Sequence, residues 1–218
     1  MSRFRDRAHA GRELATKLTA YAGRSDVLVL ALPRGGVPVA EEVARRLGAP
    51  LDVYLVRKIG VPGHEELALG AIASGGTRVL NDAIVRQLGI PETLIDALAR
   101  REQTELERRE RLYRDDRPFP DVTGRVVILV DDGLATGATM RAAVEALRAR
   151  RPARLVVAVP VGAPETCAAL EAFADEVTCA VTPEPFRAVG LWYDDFDQTT
   201  DDEVRMLLDR AAARARAA

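Results

Sequence analysis

Cysteine, histidine and aromatic residues are scarce in this sequence, and each shortage excludes some functions. The 218 residues include two cysteines and two histidines, and aromatic residues make up 5%. So few potential ligands, widely spaced along the chain, do not form a structural zinc site. Cys167 and Cys179 each lie in an apolar context. We therefore expect buried free thiols rather than a disulfide, and with them a cytoplasmic location.

Long apolar segments and an excess of one charge are missing as well. No stretch approaches the length that spans a membrane, and the charged start of the sequence is unlike a signal peptide. The formal net charge of −2 leaves no general basic surface for nucleic acid. No Gly-x-Gly-x-x-Gly turn of the dinucleotide-binding folds follows a strand. We expect neither a membrane nor a nucleic-acid partner.

A repeated strand–turn–helix pattern dominates the sequence. The five consecutive apolar residues Val126–Val130 predict a strand covered on both faces, as in the centre of a parallel sheet. Alternation of such strands with helical patterns predicts an α/β fold with a doubly wound parallel sheet, in a single domain over residues 1–218. Further strands of this sheet are predicted at 27–32, 51–56, 154–160 and 176–181.

The turn after the central strand carries the clearest chemical signal. Asp131 and Asp132 stand at the carboxyl end of the strand, and a turn of small residues then leads into a helical pattern. Small residues and the free N–H groups of a first helical turn form a phosphate cradle, to which Thr136 and Thr139 add hydroxyl donors. Two acids beside such a cradle indicate ribose hydroxyls or Mg²⁺ next to the phosphate. The segment therefore predicts a sugar-phosphate site.

Residues 126–140 resemble the phosphoribosyl pyrophosphate (PRPP) binding motif of the type I phosphoribosyltransferases: two acids, three small or apolar residues, then Thr-Gly-x-Thr. The resemblance implies transfer of the 5-phosphoribosyl group from PRPP to a small nitrogenous base, with release of pyrophosphate and with Mg²⁺ as cofactor. It implies that Asp131 and Asp132 bind the ribose hydroxyls. The 5′-phosphate loop that it implies consists of Ala135, Thr136, Gly137, Ala138 and Thr139.

A second glycine turn follows the first predicted strand. In Pro33-Arg34-Gly35-Gly36 the paired glycines free backbone N–H groups to face an anion, and the arginine adds a forked charge. The turn resembles the pyrophosphate loop of the same family. The resemblance implies that Arg34, Gly35 and Gly36 bind pyrophosphate, and that the Arg34–Gly35 peptide bond is cis. A βα turn with a surface arginine is the alternative interpretation.

Residues 59–118, between the two motifs, predict a small inserted lobe of strands and helices. Lys58 precedes it at the carboxyl end of the strand predicted at 51–56, and resembles the basic residue that the family places near pyrophosphate. A solvated surface lysine is the alternative. The stretch 59–66 predicts a mobile loop, which in the family closes over the reacting centre. His64 or Glu65 would transfer a proton there, or would simply face solvent.

Residues 183–200 resemble the hood that covers the acceptor base in this family. The resemblance implies that Phe186 or Trp192 stacks on the base, and that Asp194 reaches a metal-bound pyrophosphate. The alternative is that these aromatic rings simply pack in the core.

The acceptor base stays open at this point. Enzymes for 6-oxopurines carry an aspartate where this sequence has Ala135, and Gly133 fits neither the adenine nor the uracil type cleanly. A PRPP-binding regulator without transferase activity is the alternative function, and a homodimer is left open.

Overall fold

The computed structural model describes residues 3–61, 64–115 and 117–217, which contain eight strands and seven α-helices. The strands are β1 (Val27–Ala31), β2 (Leu51–Val53), β3 (Val56–Val61), β4 (His64–Ala73), β5 (Thr77–Leu80), β6 (Val126–Val130), β7 (Arg154–Val161) and β8 (Glu176–Val181). The helices are α1 (Arg7–Lys17), α2 (Gly36–Leu47), α3 (Asp82–Leu88), α4 (Glu92–Arg114), α5 (Ala138–Ala149), α6 (Pro164–Leu170) and α7 (Asp201–Ala217).

The main sheet is parallel, with the strand order β2-β1-β6-β7-β8. The three central strands β1, β6 and β7 bury both faces because nearly all of their residues are apolar. Val29 and Ile128 belong to the core shared with α1, α2 and α7. The neighbouring Leu30 and Leu129 belong to the core shared with α5 and α6. Helices therefore cover both faces, which confirms the predicted doubly wound sheet.

A three-stranded antiparallel sheet, in the order β3-β4-β5, forms the inserted lobe together with α3 and α4. Asn81 caps α3 by accepting a hydrogen bond from the Ile84 N–H at 3.3 Å, and Gly89 ends it with a φ of 59°. Pro91 precedes the 23 residues of α4. These local signals were predicted correctly, because caps and breakers act on neighbouring residues.

The lobe begins earlier than predicted. The main-sheet strand predicted at 51–56 ends at Val53, and the chain enters the lobe at Val56. Lys58 therefore pairs with Ala71 inside an antiparallel hairpin and does not stand at the end of a main-sheet strand. A largely apolar run does not reveal where the chain changes from one sheet to another.

The loop predicted at 59–66 is instead largely strand, because β3 and β4 pair through most of that stretch. Its mobility and its closure over the reacting centre stay predictions. Backbone pairing with a neighbouring strand satisfies the N–H and C=O groups that a loop would leave to solvent. Residues 62 and 63 lie outside the described part of the chain, as do the side chains of His64 and Glu65. Their role in proton transfer stays a prediction.

Arg114 ties the end of α4 to the edge of the main sheet. It is a charged residue with only 2% exposure. Its Nε donates to Asp52 at 2.8 Å, its Nη1 donates to Glu110 at 2.8 Å, and its Nη2 donates to the Val53 carbonyl. The guanidinium also lies over the Phe119 ring. Because Asp52 and Val53 belong to β2, this one side chain links the lobe to the sheet.

Cys167 and Cys179 form a disulfide, so the prediction of free thiols was wrong. Cys167 lies in α6 and Cys179 in β8, the strand that follows it and packs against it. This return brings the two Cα atoms to 6.7 Å, within the usual range for a disulfide. The cytoplasmic location loses the argument from free thiols and stays a prediction. Within the described residues, no helix is both long enough and apolar enough to cross a bilayer.

Replacing Arg114 with Met should lower the free energy of unfolding by about 3 kcal/mol, because Asp52 and Glu110 would lose their partner in a largely desolvated position. Arg111→Met is the matched control, since Arg111 is exposed on the same helix, and should change it by less than about 0.5 kcal/mol. Denaturant unfolding followed by circular dichroism measures both. Equal effects would contradict the anchoring role of Arg114.

Reduction of the Cys167–Cys179 disulfide should lower the free energy of unfolding by about 3 kcal/mol, because the loop that it closes would regain entropy in the unfolded chain. The measurement is urea unfolding with and without a thiol reductant. A variant with both cysteines changed to Ala should not respond to the reductant. An identical response of the two proteins would show that the disulfide contributes nothing.

Candidate functional site

Two loops meet where β1 and β6 end. The Leu32 N–H donates to the Val130 carbonyl at 2.9 Å and joins the two strand ends. Beyond this bond, a Cβ added to Gly35 would lie 2.0 Å from Oδ2 of Asp132, and one added to Gly36 would lie 2.8 Å from the Val130 carbonyl oxygen. Gly35 has ordinary helical angles, φ −60° and ψ −32°. Both glycines are therefore needed for close approach of the acid loop.

The glycine turn contains a cis peptide bond, but not at the predicted place. It joins Pro33 to Arg34, and the Arg34–Gly35 bond is trans, so the prediction was wrong by one bond. Helix α2 already begins at Gly36, three residues before the predicted start at Val39. Gly35, the residue directly before this helix, already has helical backbone angles.

The acid pair lies in a partly buried position at the carboxyl ends of β1 and β6. Burial raises the pKa of Asp131, and the neighbouring charge of Asp132 raises it further. Burial also raises the pKa of Asp132, while a hydrogen bond from Arg7 opposes the shift. The Tyr193 hydroxyl donates to the Asp132 carbonyl at 2.7 Å. Hydrogen-bond donors or a cation placed here would stabilise the ionised acids, which fits ribose hydroxyls or a divalent ion.

Arg7 and Tyr193 were not found from the sequence. Arg7 Nε lies 2.9 Å from Asp132 Oδ2, and the side chains are 12% and 16% exposed. Arg7 and Asp132 are 125 positions apart, and no local pattern distinguishes Arg7 from Arg12, the other arginine of its helix. Only the packing of α1 beside the sheet edge brings them together.

The predicted phosphate loop presents open backbone at the start of a helix. Gly137 caps α5 in the left-handed region, with a φ of 68°, a conformation that favours glycine. The helix begins at Ala138, and the side chains of Thr136 and Thr139 are exposed. Free N–H groups at this helix start are oriented to bind an anion. Their binding of a 5′-phosphate stays a prediction.

Hydrogen bonds join the predicted phosphate loop to α6 and to the end of β7. Thr166 donates through its hydroxyl to the Ala135 carbonyl at 2.7 Å. The Leu134 N–H donates to the Val161 carbonyl, and the Ala163 N–H donates to the Leu134 carbonyl, both at 2.9 Å. The loop therefore has a defined shape before any ligand binds.

The two cations predicted beside pyrophosphate line different cavities. Arg34 lines a cavity of about 180 Å³ with Arg109 of α4 and with Asp201, whose carboxylate lies 3.9 Å from it. Lys58 lines a cavity of about 510 Å³ between the lobe and α5, together with Arg141. The structure thus places Arg34 at the glycine turn and Lys58 across from α5. Their roles stay predictions.

The segment predicted as a hood packs its aromatic residues inward. Phe186 and Trp192 are partly buried against an apolar cluster that contains Phe4 and Tyr193. Asp194 is exposed, and its backbone N–H donates to the Phe4 carbonyl at 2.8 Å. Core packing, the alternative interpretation, therefore accounts for both rings. Stacking on a base stays a prediction.

No group of three or more His, Cys, Asp or Glu side chains converges on a metal position among the residues the structure describes. Mg²⁺ commonly binds through one or two carboxylates plus substrate phosphates. Asp131 and Asp132 fit that requirement, since they would supply the carboxylate ligands.

Comparison with known proteins identifies a family and several relatives of this chain. Residues 3–67 and 61–194 match the model of the phosphoribosyl transferase domain. A Mycobacterium tuberculosis protein named "Putative phosphoribosyl transferase" is 50% identical over 211 residues, which cover 97% of this chain and 47% of that protein. The chain thus spans about half the length of this curated relative.

Two further relatives extend the comparison. A "Bifunctional protein PyrR" of Chloroflexus aurantiacus is 38% identical over 130 residues, 58% of this chain and 65% of that protein. The crystal structure of a Thermus thermophilus protein is 48% identical, covers 94% of this chain and 97% of its own, and superposes with a TM-score of 0.86. The family match, which covers most of the chain, establishes that the chain belongs to the phosphoribosyltransferase family.

Proposed function

We propose that this chain transfers the 5-phosphoribosyl group of PRPP to a small nitrogenous base and releases pyrophosphate. The observation that carries the proposal is the meeting of two glycine-containing turns at one sheet edge, with Asp131 and Asp132 between them. A single ligand with an anionic group at each end and hydroxyls in the middle suits this arrangement. PRPP has that order of groups.

The chain's own residues would act chiefly by orienting PRPP for the reaction. The loop of residues 135–139 would hold the 5′-phosphate, and the acid pair would hold the ribose hydroxyls. The turn at Arg34, Gly35 and Gly36 would then align the pyrophosphate as the leaving group. Fixing a substrate at several points converts binding energy into correct geometry at the reacting carbon, C1 of the ribose.

Charge develops in opposite directions during the reaction, and the site is suited to both. The ribosyl ring becomes positive as the bond to pyrophosphate breaks, and the ionised acids lie on the ribose side. The leaving pyrophosphate becomes more negative, and Arg34 with the turn's N–H groups would stabilise it. Mg²⁺ bound with the acids and the substrate's phosphates would supply further positive charge. Lys58 would add to it if the lobe approached the site.

The base would lie beneath residues 183–200, the segment that resembles the family's hood. Gly133 faces this segment, since a Cβ there would lie 2.5 Å from a methyl carbon of Val189. Phe186 or Trp192 would stack on the base after leaving its present packing. The proposal includes a cytoplasmic location and no nucleic-acid partner, and a homodimer remains open. The activity of a longer protein would depend also on parts outside this chain.

A PRPP-binding regulator without transferase activity is the second candidate. Ala135 favours it, because the loop lacks the carboxylate that manages the proton of the base in the 6-oxopurine enzymes. The same observation is compatible with a transferase for another base. The two candidates share PRPP binding and differ only in transfer.

Incubation with PRPP, Mg²⁺ and each of a panel of purine and pyrimidine bases should release pyrophosphate with at least one base. The measurement is a coupled pyrophosphate assay, with detection of the nucleotide product by chromatography. Reactions without a base give the background hydrolysis. Binding of PRPP by calorimetry with no transfer to any base would favour the regulator over the transferase.

Changing both Asp131 and Asp132 to Ala should weaken PRPP binding by at least about 100-fold, because the ribose would lose its charged hydrogen-bond acceptors. Calorimetry measures the affinity, and circular dichroism checks the fold. Asp209→Ala is the control, since Asp209 is 74% exposed on α7, and should bind PRPP normally. Unchanged affinity of the double variant would refute the assignment of the acids.

A further inference from the structure

One arginine of the N-terminal helix reaches the acid pair and the C-terminal segment at once. Nε of Arg7 lies 2.9 Å from Oδ2 of Asp132. Its Nη1 donates to the backbone carbonyl of Asp197 at 2.6 Å. Its guanidinium also lies 4.0 Å from the centre of the Phe196 ring. Three different interactions therefore determine the position of one largely buried side chain.

The helix that carries Arg7 is itself held closely against α2. Asp6 caps α1 by accepting a hydrogen bond from the His9 N–H at 2.6 Å. Gly11 lets α1 approach α2, because a Cβ there would lie 2.5 Å from the Val39 carbonyl oxygen. The backbone of Phe4 also pairs with the chain around Tyr193. The position of Arg7 is thus set by packing on both sides.

The chemistry of the guanidinium suits this position better than that of an ammonium group. Its planar fork presents several N–H donors in fixed directions, so one side chain can serve a carboxylate and a carbonyl together and still stack on a ring. Lysine has one charged centre and cannot make all three contacts. Arg7 takes Oδ2 of Asp132, and the described hydrogen bonds leave Oδ1 of Asp132 without a protein donor.

We propose that Arg7 is a positioning residue for the ribose-binding acid: it holds one oxygen of Asp132 so that the other faces the ribose hydroxyls of PRPP. The same guanidinium links this acid to Phe196 and Asp197, which lie in the segment that would cover the base. The ribose side and the base side of the site are therefore joined through one residue. This inference rests on the proposed binding of PRPP.

The test compares PRPP affinity, measured by calorimetry, with the thermal midpoint of unfolding. Arg7→Met should weaken PRPP binding about tenfold to 100-fold, by analogy with the loss of affinity when residues that orient metal ligands are removed. Arg7→Lys should recover part of this loss, because it keeps a charge beside Asp132. Arg12→Met is the matched control: Arg12 lies on the same helix and contacts Glu42 at 3.1 Å. It should bind PRPP like the wild type.

A double-mutant cycle with Asp132→Asn separates positioning from general support of the fold. If Arg7 acts through Asp132, adding Arg7→Met to Asp132→Asn should weaken PRPP binding by no more than about twofold, because the two effects are not independent. The same additional loss in both backgrounds would overturn the inference. So would an Arg7→Met protein with a lowered thermal midpoint and wild-type affinity. A wild-type chain that binds no PRPP would instead overturn the proposed function, and the inference with it.

Discussion

Pairing of β1 with β6 is the constraint on which the candidate site depends. The two strands are far apart along the chain, with β2 and the whole lobe between them, yet Ala31 lies opposite Val130 in the sheet. This register places the turn after each strand at the same level of one sheet edge. Neighbouring parallel strands have their carboxyl ends on the same side of the sheet, so the two glycine-containing turns come together although their motifs are far apart in sequence.

The close approach of the two turns explains residues that motif spacing alone leaves unexplained. Gly35 and Gly36 are tolerated only as glycine because the acid loop fills the space where a side chain would lie. Asp131 and Asp132 are in turn partly buried, and this burial raises the pKa of each. Groups whose pKa values are shifted by burial and by a like charge are frequent at functional sites. Two buried carboxyl groups at the carboxyl ends of these strands lower the stability of the fold. A ligand that supplies hydrogen-bond donors or a cation would offset that cost.

The two faces of the sheet support different parts of this edge. On one face, α6 holds the phosphate loop through Thr166, and the disulfide at Cys167 ties the same helix to β8. On the other face, α1 contributes Arg7 to the acid pair. The lobe packs against α5 and α7 and is tied through Arg114 to β2, the edge strand of the main sheet. Strands, acids and loops therefore form one connected site, while the lobe carries Lys58 toward α5.

Local signals in the sequence determined the elements and the chemistry of the turns. The apolar run Val126–Val130, the acids after it and the capping residue Asn81 each act over a few neighbouring residues, so their pattern predicts their structure. The predicted strand at 51–56 instead divides between two sheets. Its apolar residues are suited to either sheet, and only packing decides between them.

Contacts between distant residues were decided by the tertiary structure. The sequence by itself determined that an acid pair and two glycine-containing turns follow buried strands, because spacing and residue type are local properties. The fold decided that Arg7 meets Asp132, that Cys167 meets Cys179, and that Arg34 and Lys58 line different cavities. Those contacts depend on how helices and strands far apart in the chain pack together, and no local pattern encodes that packing.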